Sequence, residues 1–126
     1  MELALPRVLV VDDEPIVGRA LSLALRRVAV VTFENQPAAA LERLRRGERF
    51  DLILCDVMMP AMTGPELFAQ AMVFAPEMRA RFVFVSGGIE GPVKRGLDAT
   101  ERPCLEKPLA ATELRELVRQ HTQRSD

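Results

Sequence analysis

Apolar and polar positions in this chain fall into blocks whose period keeps switching. Three short runs are apolar at nearly every position: Val8 to Val11, Leu52 to Cys55 and Phe82 to Val85. Such runs suit strands of a parallel sheet, covered by helices on both faces. Between them, apolar residues recur every three or four positions, the spacing of helices that bury one side. Strand one runs to about Asp12. Pro15 suits a first helical turn, and Ile16, Val17, Ala20, Leu21, Ala24 and Leu25 form an apolar stripe. Val28 to Phe33 reads as strand two, rich in β-branched residues. Asn35 or Gln36 caps the next helix, Pro37 opens it, Leu41 and Leu44 face inward and Gly47 ends it. Asp51 to Asp56 is strand three, and after a loop Pro65 opens a helix carrying Leu67, Phe68, Ala71 and Met72.

Arg81 to Ser86 is strand four. The helix after it is the weakest expected, because Gly87, Gly88, Gly91, Pro92 and Gly96 all oppose it. Residues 103–106 form a short fifth strand, and Thr112 caps a last helix with Leu114, Leu117 and Val118 on one face. The alternation predicts an α/β fold of five right-handed βα units. One domain over residues 1–126, with its core at about 6–122, accounts for the whole chain.

Composition narrows the function classes. The chain has 126 residues, 17 basic against 18 acidic side chains and a formal charge of −1. A nucleic-acid-binding domain would show a basic excess on one face, so no direct nucleic-acid contact is expected. No apolar stretch approaches the ~20 residues of a membrane span, so no membrane contact by this domain is expected either. Cys55 and Cys104 lie in strand runs without metal-type spacing, and read as small core residues of a reducing cytoplasm. Met58, Met59 and Met62 read as packing residues, the arginines at 43, 45, 46 and 49 as one solvated helix face, and His121 as a solvated or cationic group near a helix end.

The chemistry sits where the apolar runs stop. Sites in open α/β sheets form beyond the carboxyl ends of the strands. There the chain places Asp12 and Asp13, Asp56, Ser86 and Lys107. Three crowded carboxylates repel one another unless a cation neutralises them. Their all-oxygen donor set favours Mg²⁺, or Mn²⁺, over zinc. Asp56, at the end of the most apolar strand, is the best nucleophile, and a carboxylate can form an acyl phosphate. Lys107 offers a flexible point charge and Ser86 a hydroxyl for the remaining phosphoryl oxygens.

The segments VLVVDDEP, DLILCDVMMPAMTG, FVFVSGG and LEKP closely resemble the receiver domain of bacterial two-component response regulators. The resemblance covers about residues 6–122. It implies a flavodoxin-like, five-stranded parallel sheet of order 2-1-3-4-5 flanked by five helices. It also implies Asp56 as phospho-acceptor, Asp12 and Asp13 as the acidic pair that holds Mg²⁺, and the Met58 main-chain carbonyl as a further ligand. Ser86 matches the switch hydroxyl and Lys107 the lysine of the motif. The implied partner is a sensor histidine kinase or a histidine phosphotransfer protein, and such a domain catalyses its own phosphorylation and dephosphorylation without being a conventional turnover enzyme. One departure stands out: receivers commonly carry an aromatic switch residue where this chain has Cys104, and the chain has no tyrosine.

No DNA-binding domain is expected after the fifth helix. SGG, the weak fourth helix and PCLEKP are similar to receivers of hybrid sensor histidine kinases, so a stand-alone regulator and a hybrid-kinase module both remain open. Two other classes compete. An aspartyl-nucleophile phosphatase of the haloacid dehalogenase class needs a second Asp two residues after the first, where this chain has Met58. A nucleotide- or flavin-binding module cradles phosphate after strand one at a helix N-terminus. Here that place holds Asp12, Asp13 and Glu14, while the glycines of SGGIEG follow strand four.

Overall fold

A computed structural model describes residues 4–88 and 92–122. Five strands, β1 (Arg7–Val11), β2 (Val30–Glu34), β3 (Leu52–Asp56), β4 (Phe82–Ser86) and β5 (Cys104–Glu106), form one sheet. All neighbours run parallel, in the order β2-β1-β3-β4-β5. The helices are α1 (Pro15–Leu25), α2 (Pro37–Arg45), α3 (Gly64–Phe74), α4 (Pro92–Thr100) and α5 (Ala111–Thr122). Alternation along the strands divides the core in two. Leu9, Val11, Ile53, Cys55, Phe82 and Phe84 pack beneath α2, α3 and α4, with Leu41, Leu44, Leu67, Phe68 and Leu97. Val8, Val10, Leu52, Leu54, Val83 and Val85 pack beneath α1 and α5, with Leu25, Leu114 and Val118. Every residue of β3 and β4 is buried, which is why both strands are apolar up to their terminal Asp56 and Ser86.

Several local expectations need correction. Strand two starts at Val30, later than expected, because Val28 and Ala29 close the end of α1 with N–H bonds to the Leu25 carbonyl. A 3₁₀ turn over Pro76–Arg81 precedes β4 and shortens that strand to begin at Phe82. Thr112 lies inside α5 instead of capping it; the Ala110 N–H at the helix start donates to Glu113 at 3.2 Å. Gln36 occupies the cap position of α2, but its side chain makes no capping bond. Gly47 ends α2 as expected, with φ +104° and an N–H bond to the Leu44 carbonyl. The fourth helix forms over nine residues, since Pro92 sits in its first turn, where proline is tolerated, and only Gly96 is internal. Gly91 lies outside the described residues.

Cys55 is buried, but Cys104 is exposed, because β5 is a three-residue edge strand with β4 on one side only. Met59 is buried and Met62 packs on the core, whereas Met58 is 52% exposed. The arginines do not share one solvated face: Arg45 and Arg46 pair with Glu42, but Arg43 reaches Glu34 on β2 and Arg49 reaches Glu77. His121 holds the Leu117 carbonyl through Nδ1 at 3.0 Å. Among the described residues no helix is long and apolar enough to cross a membrane.

Candidate functional site

The sheet order puts β1, β3, β4 and β5 side by side with their carboxyl ends at one edge. Asp12 follows β1, Asp56 ends β3, Ser86 ends β4 and Lys107 follows β5. Carboxylate oxygens of Asp12, Asp13 and Asp56 all lie within 4.8 Å of one another. Asp12 and Asp56 are almost fully buried, while Asp13 is half-buried. Lys107 Nζ stands 3.2 Å from Asp12 Oδ2 and 3.4 Å from Asp56 Oδ1, so one ammonium serves two carboxylates. Its own N–H donates to the Ser86 carbonyl at 2.8 Å, which fixes the Lys107 backbone beside the end of β4.

Burial, with the neighbouring Asp12 charge, pushes the Asp56 carboxyl up to about 6, and Lys107 only partly opposes this. Burial alone would lower the Lys107 ammonium, but Asp56 and Asp12 outweigh it and hold the ammonium above its usual range. These mutual shifts are the electrostatic mark of a site short of positive charge. The three carboxylates offer a hard divalent cation oxygen ligands on one side and leave room for water or substrate oxygens. That donor set fits Mg²⁺.

Each expected site residue has a definite place. Ser86 is buried, one position beyond Val85, the register partner of Asp56. Its Oγ accepts the Gly88 N–H at 2.9 Å, and Gly88 takes φ +118°, a conformation glycine adopts without strain. The hydroxyl keeps its own proton for donation. Met58 lies in the loop two residues after Asp56. Cys104 stands apart from the carboxylates, lining a cavity of about 230 Å³ with Ser86, Gly88, Lys94, Leu97 and Leu105.

Two contributors escaped the sequence reading. The Glu14 N–H donates to Asp12 Oδ1 at 2.9 Å and orients that carboxylate, a backbone contact that no side-chain pattern reveals. Thr63 and Glu66 form a reciprocal capping box at the start of α3, with bonds of 3.2 and 2.9 Å. The Thr-x-x-Glu spacing before an apolar run was the available signal.

Known proteins resemble this chain in sequence and in fold. The sequence profile of the response regulator receiver domain matches residues 8–119. The two-component response regulator ORR22 of Oryza sativa is 36% identical over 114 residues, covering 88% of this chain and 16% of that protein. The sensor kinase CckA of Brucella abortus is 31% identical over 122 residues, covering 94% of this chain and 13% of its own length. The chain thus spans a small part of these relatives. A response regulator receiver protein from Pseudomonas putida superposes with a TM-score of 0.80 at 25% identity, over 94% of this chain and 99% of that one. Receiver domains generally bind Mg²⁺ in an acidic pocket and pair with histidine kinases or phosphotransfer proteins. With its five-stranded sheet, its acidic strand-end cluster and this profile, the chain belongs to the response regulator receiver domain family of two-component phosphorelay systems.

Proposed function

We propose that Asp56 accepts a phosphoryl group from a sensor histidine kinase, or from a histidine phosphotransfer protein, in a Mg²⁺-dependent reaction. The observation that carries this reading is the meeting of Asp12, Asp13 and Asp56 within 4.8 Å, beneath an ammonium that touches two of them. An Asp56 oxygen attacks phosphorus while the bond to the donor imidazole nitrogen breaks. The electron pair leaves with the imidazole, which takes a proton from water, and Asp56 becomes an acyl phosphate. With its carboxyl raised only to about 6, Asp56 is mostly ionised at pH 7 and remains a nucleophile.

Asp12, Asp13, Asp56 and the Met58 main-chain carbonyl hold the cation, Mg²⁺ or in its place Mn²⁺. When bound it supplies positive charge to a phosphoryl oxygen. Lys107 turns from the carboxylates to a second oxygen, and the Ser86 proton is donated to a third. Hydrolysis reverses the modification when water attacks phosphorus and releases phosphate from Asp56. Switching runs from Ser86 towards the Cys104 cavity, and the free thiols of Cys55 and Cys104 suit a cytoplasmic setting.

The likeness to the sensor kinase CckA supports a second reading, a receiver module within a hybrid kinase; the chemistry at Asp56 is the same in both. A phosphatase is not favoured, because Met58 stands where that chemistry needs an acid. The test is incubation with Mg²⁺ and acetyl phosphate, read by intact mass. One phosphoryl group should be added, and Asp56→Asn should abolish it. An adduct that persists in this variant would mean another nucleophile.

A further inference from the structure

Gly64, the buried first residue of α3, touches the backbone of the proposed phospho-acceptor. A Cβ at this position would lie 2.6 Å from the Asp56 carbonyl oxygen and 3.0 Å from Cδ1 and Cε1 of Phe84. Neither neighbour can give way easily. The carbonyl belongs to the last residue of β3, whose register partner is Val85 of β4, and its peptide is anchored there because the Val57 N–H donates to the Val85 carbonyl. The Phe84 ring is fully buried, its centroid 6.1 Å from Phe68 and 6.0 Å from Phe82. Gly64 is not in the left-handed region, so the demand is for space alone.

The same residue closes the loop that follows Asp56. Its N–H donates to the Val57 carbonyl at 2.8 Å, and Val57 in turn donates to the Val85 carbonyl at 3.1 Å. Residues 58–63 are therefore pinned at their base between α3 and the sheet. The Thr63–Glu66 capping box fixes the other side of the helix start. Any side chain at position 64 must push α3 away from β3 or tilt the Asp56 peptide, and either change moves the peptide carrying the Met58 carbonyl.

We propose that Gly64 is a positioning residue for cation binding and phosphorylation: its bare Cα lets α3 abut the Asp56 backbone and holds the 58–63 loop over the strand end. This rests on the reading of Asp56 and Met58 given above. Gly96 and Gly87 differ from it. A Cβ at Gly96 would make an ordinary 3.6 Å contact with Pro65, and one at Gly87 would meet nothing within 4 Å.

The test compares Mg²⁺ affinity by calorimetry, and phosphorylation rate with acetyl phosphate at saturating Mg²⁺, in wild type, Gly64→Ala, Gly96→Ala and Val118→Ala. Val118→Ala removes core volume on the opposite face of the sheet and controls for lost stability. Gly64→Ala should weaken Mg²⁺ binding and slow phosphorylation at least tenfold each, with both controls within twofold of wild type. Should Gly64→Ala fail to fold, Phe84→Leu/Gly64→Ala removes the ring clash and leaves the carbonyl clash. The double variant should then bind Mg²⁺ at least tenfold more weakly than Phe84→Leu alone. Wild-type affinity and rate in Gly64→Ala, or equal affinity in that second pair, overturns the positioning role alone. A wild type that neither binds Mg²⁺ nor accepts phosphate overturns the Asp56 reading and this inference with it.

Discussion

Lys107 Nζ stands 3.4 Å from Asp56 Oδ1, joining the ends of two strands that β4 separates. The same ammonium lies 3.2 Å from Asp12, so two almost buried carboxylates share it. Removing one member of such a group leaves charge uncompensated. Lys107→Ala should therefore lower metal-free stability at pH 7 by about 1–2 kcal/mol, given its partly exposed position. Phosphorylation in Mg²⁺ should slow at least tenfold. Urea melts in EDTA, followed by circular dichroism because the chain has no tryptophan or tyrosine, give the first value. An intact-mass time course gives the second.

Without metal, Asp56 should make stability fall with rising pH. Its carboxyl lies at about 6 in the folded protein against an ordinary 3.8, so the folded state holds the proton more tightly than the unfolded state. The proton's stabilising contribution is complete below pH 4 and is lost as pH rises through 6. Asp56→Asn should thus exceed wild type at pH 7 without metal, by about 2–3 kcal/mol. The gap should close below pH 4. A gap that stays constant from pH 3.5 to 8 would show that Asp56 does not titrate in this way.

Mg²⁺ should stabilise the wild type against heat, since a ligand held by the folded site alone raises the melting temperature by linkage. Asp13 is the most exposed of the three carboxylates and is best placed to meet an incoming ion. Asp13→Ala should lose most of the shift at 10 mM Mg²⁺, on the order of physiological to excess concentration. Equal shifts in both proteins would remove Asp13 from the ligand set.

The strand-end residues were legible because an apolar run announces where it stops. Asp12, Asp56 and Ser86 each end or follow a run whose buried length is nearly continuous, and a parallel sheet aligns those ends. Cys104 was misread for the converse reason. Periodicity does not distinguish an edge strand from a central one, and Cys104 has only β4 beside it. The two tightest glycines among the described residues were also hidden, because close approach between distant segments leaves no trace in local spacing. Gly64 against Asp56 is one. Gly18, where a Cβ would fall 2.0 Å from the Phe33 ring, is the other.

The Gly18 contact makes its own prediction. Phe33 on β2 lies against α1 where a side chain would otherwise be, so Gly18→Ala must displace the ring or the helix. Overpacking of this kind costs about 1–3 kcal/mol, more than the gain in helix propensity. Urea melts should show a lower midpoint in Gly18→Ala. A rise in midpoint would mean that the ring moves aside freely.

The two cysteines should differ sharply towards thiol reagents. Cys55 is fully buried, and burial with the nearby Asp56 and Asp12 charges holds its thiol protonated far above the usual range. Cys104 is exposed, with a thiol raised by partial burial and by Glu106. Iodoacetamide under native conditions at pH 8.5 should add one equivalent, at Cys104, and a second only after unfolding. Native labelling at Cys55 would show that β3 opens locally.

The fully buried β3 has a mechanical consequence. Asp56 ends a strand clamped by β1 and β4 along both edges and by packed side chains above and below. A close-packed interior is bistable and does not yield by degrees. The strand therefore behaves as a stator: charge added at its tip cannot be absorbed by bending it. The displacement has to leave sideways, through the loops at the strand ends, where Gly87 and Gly88 leave the backbone free to turn.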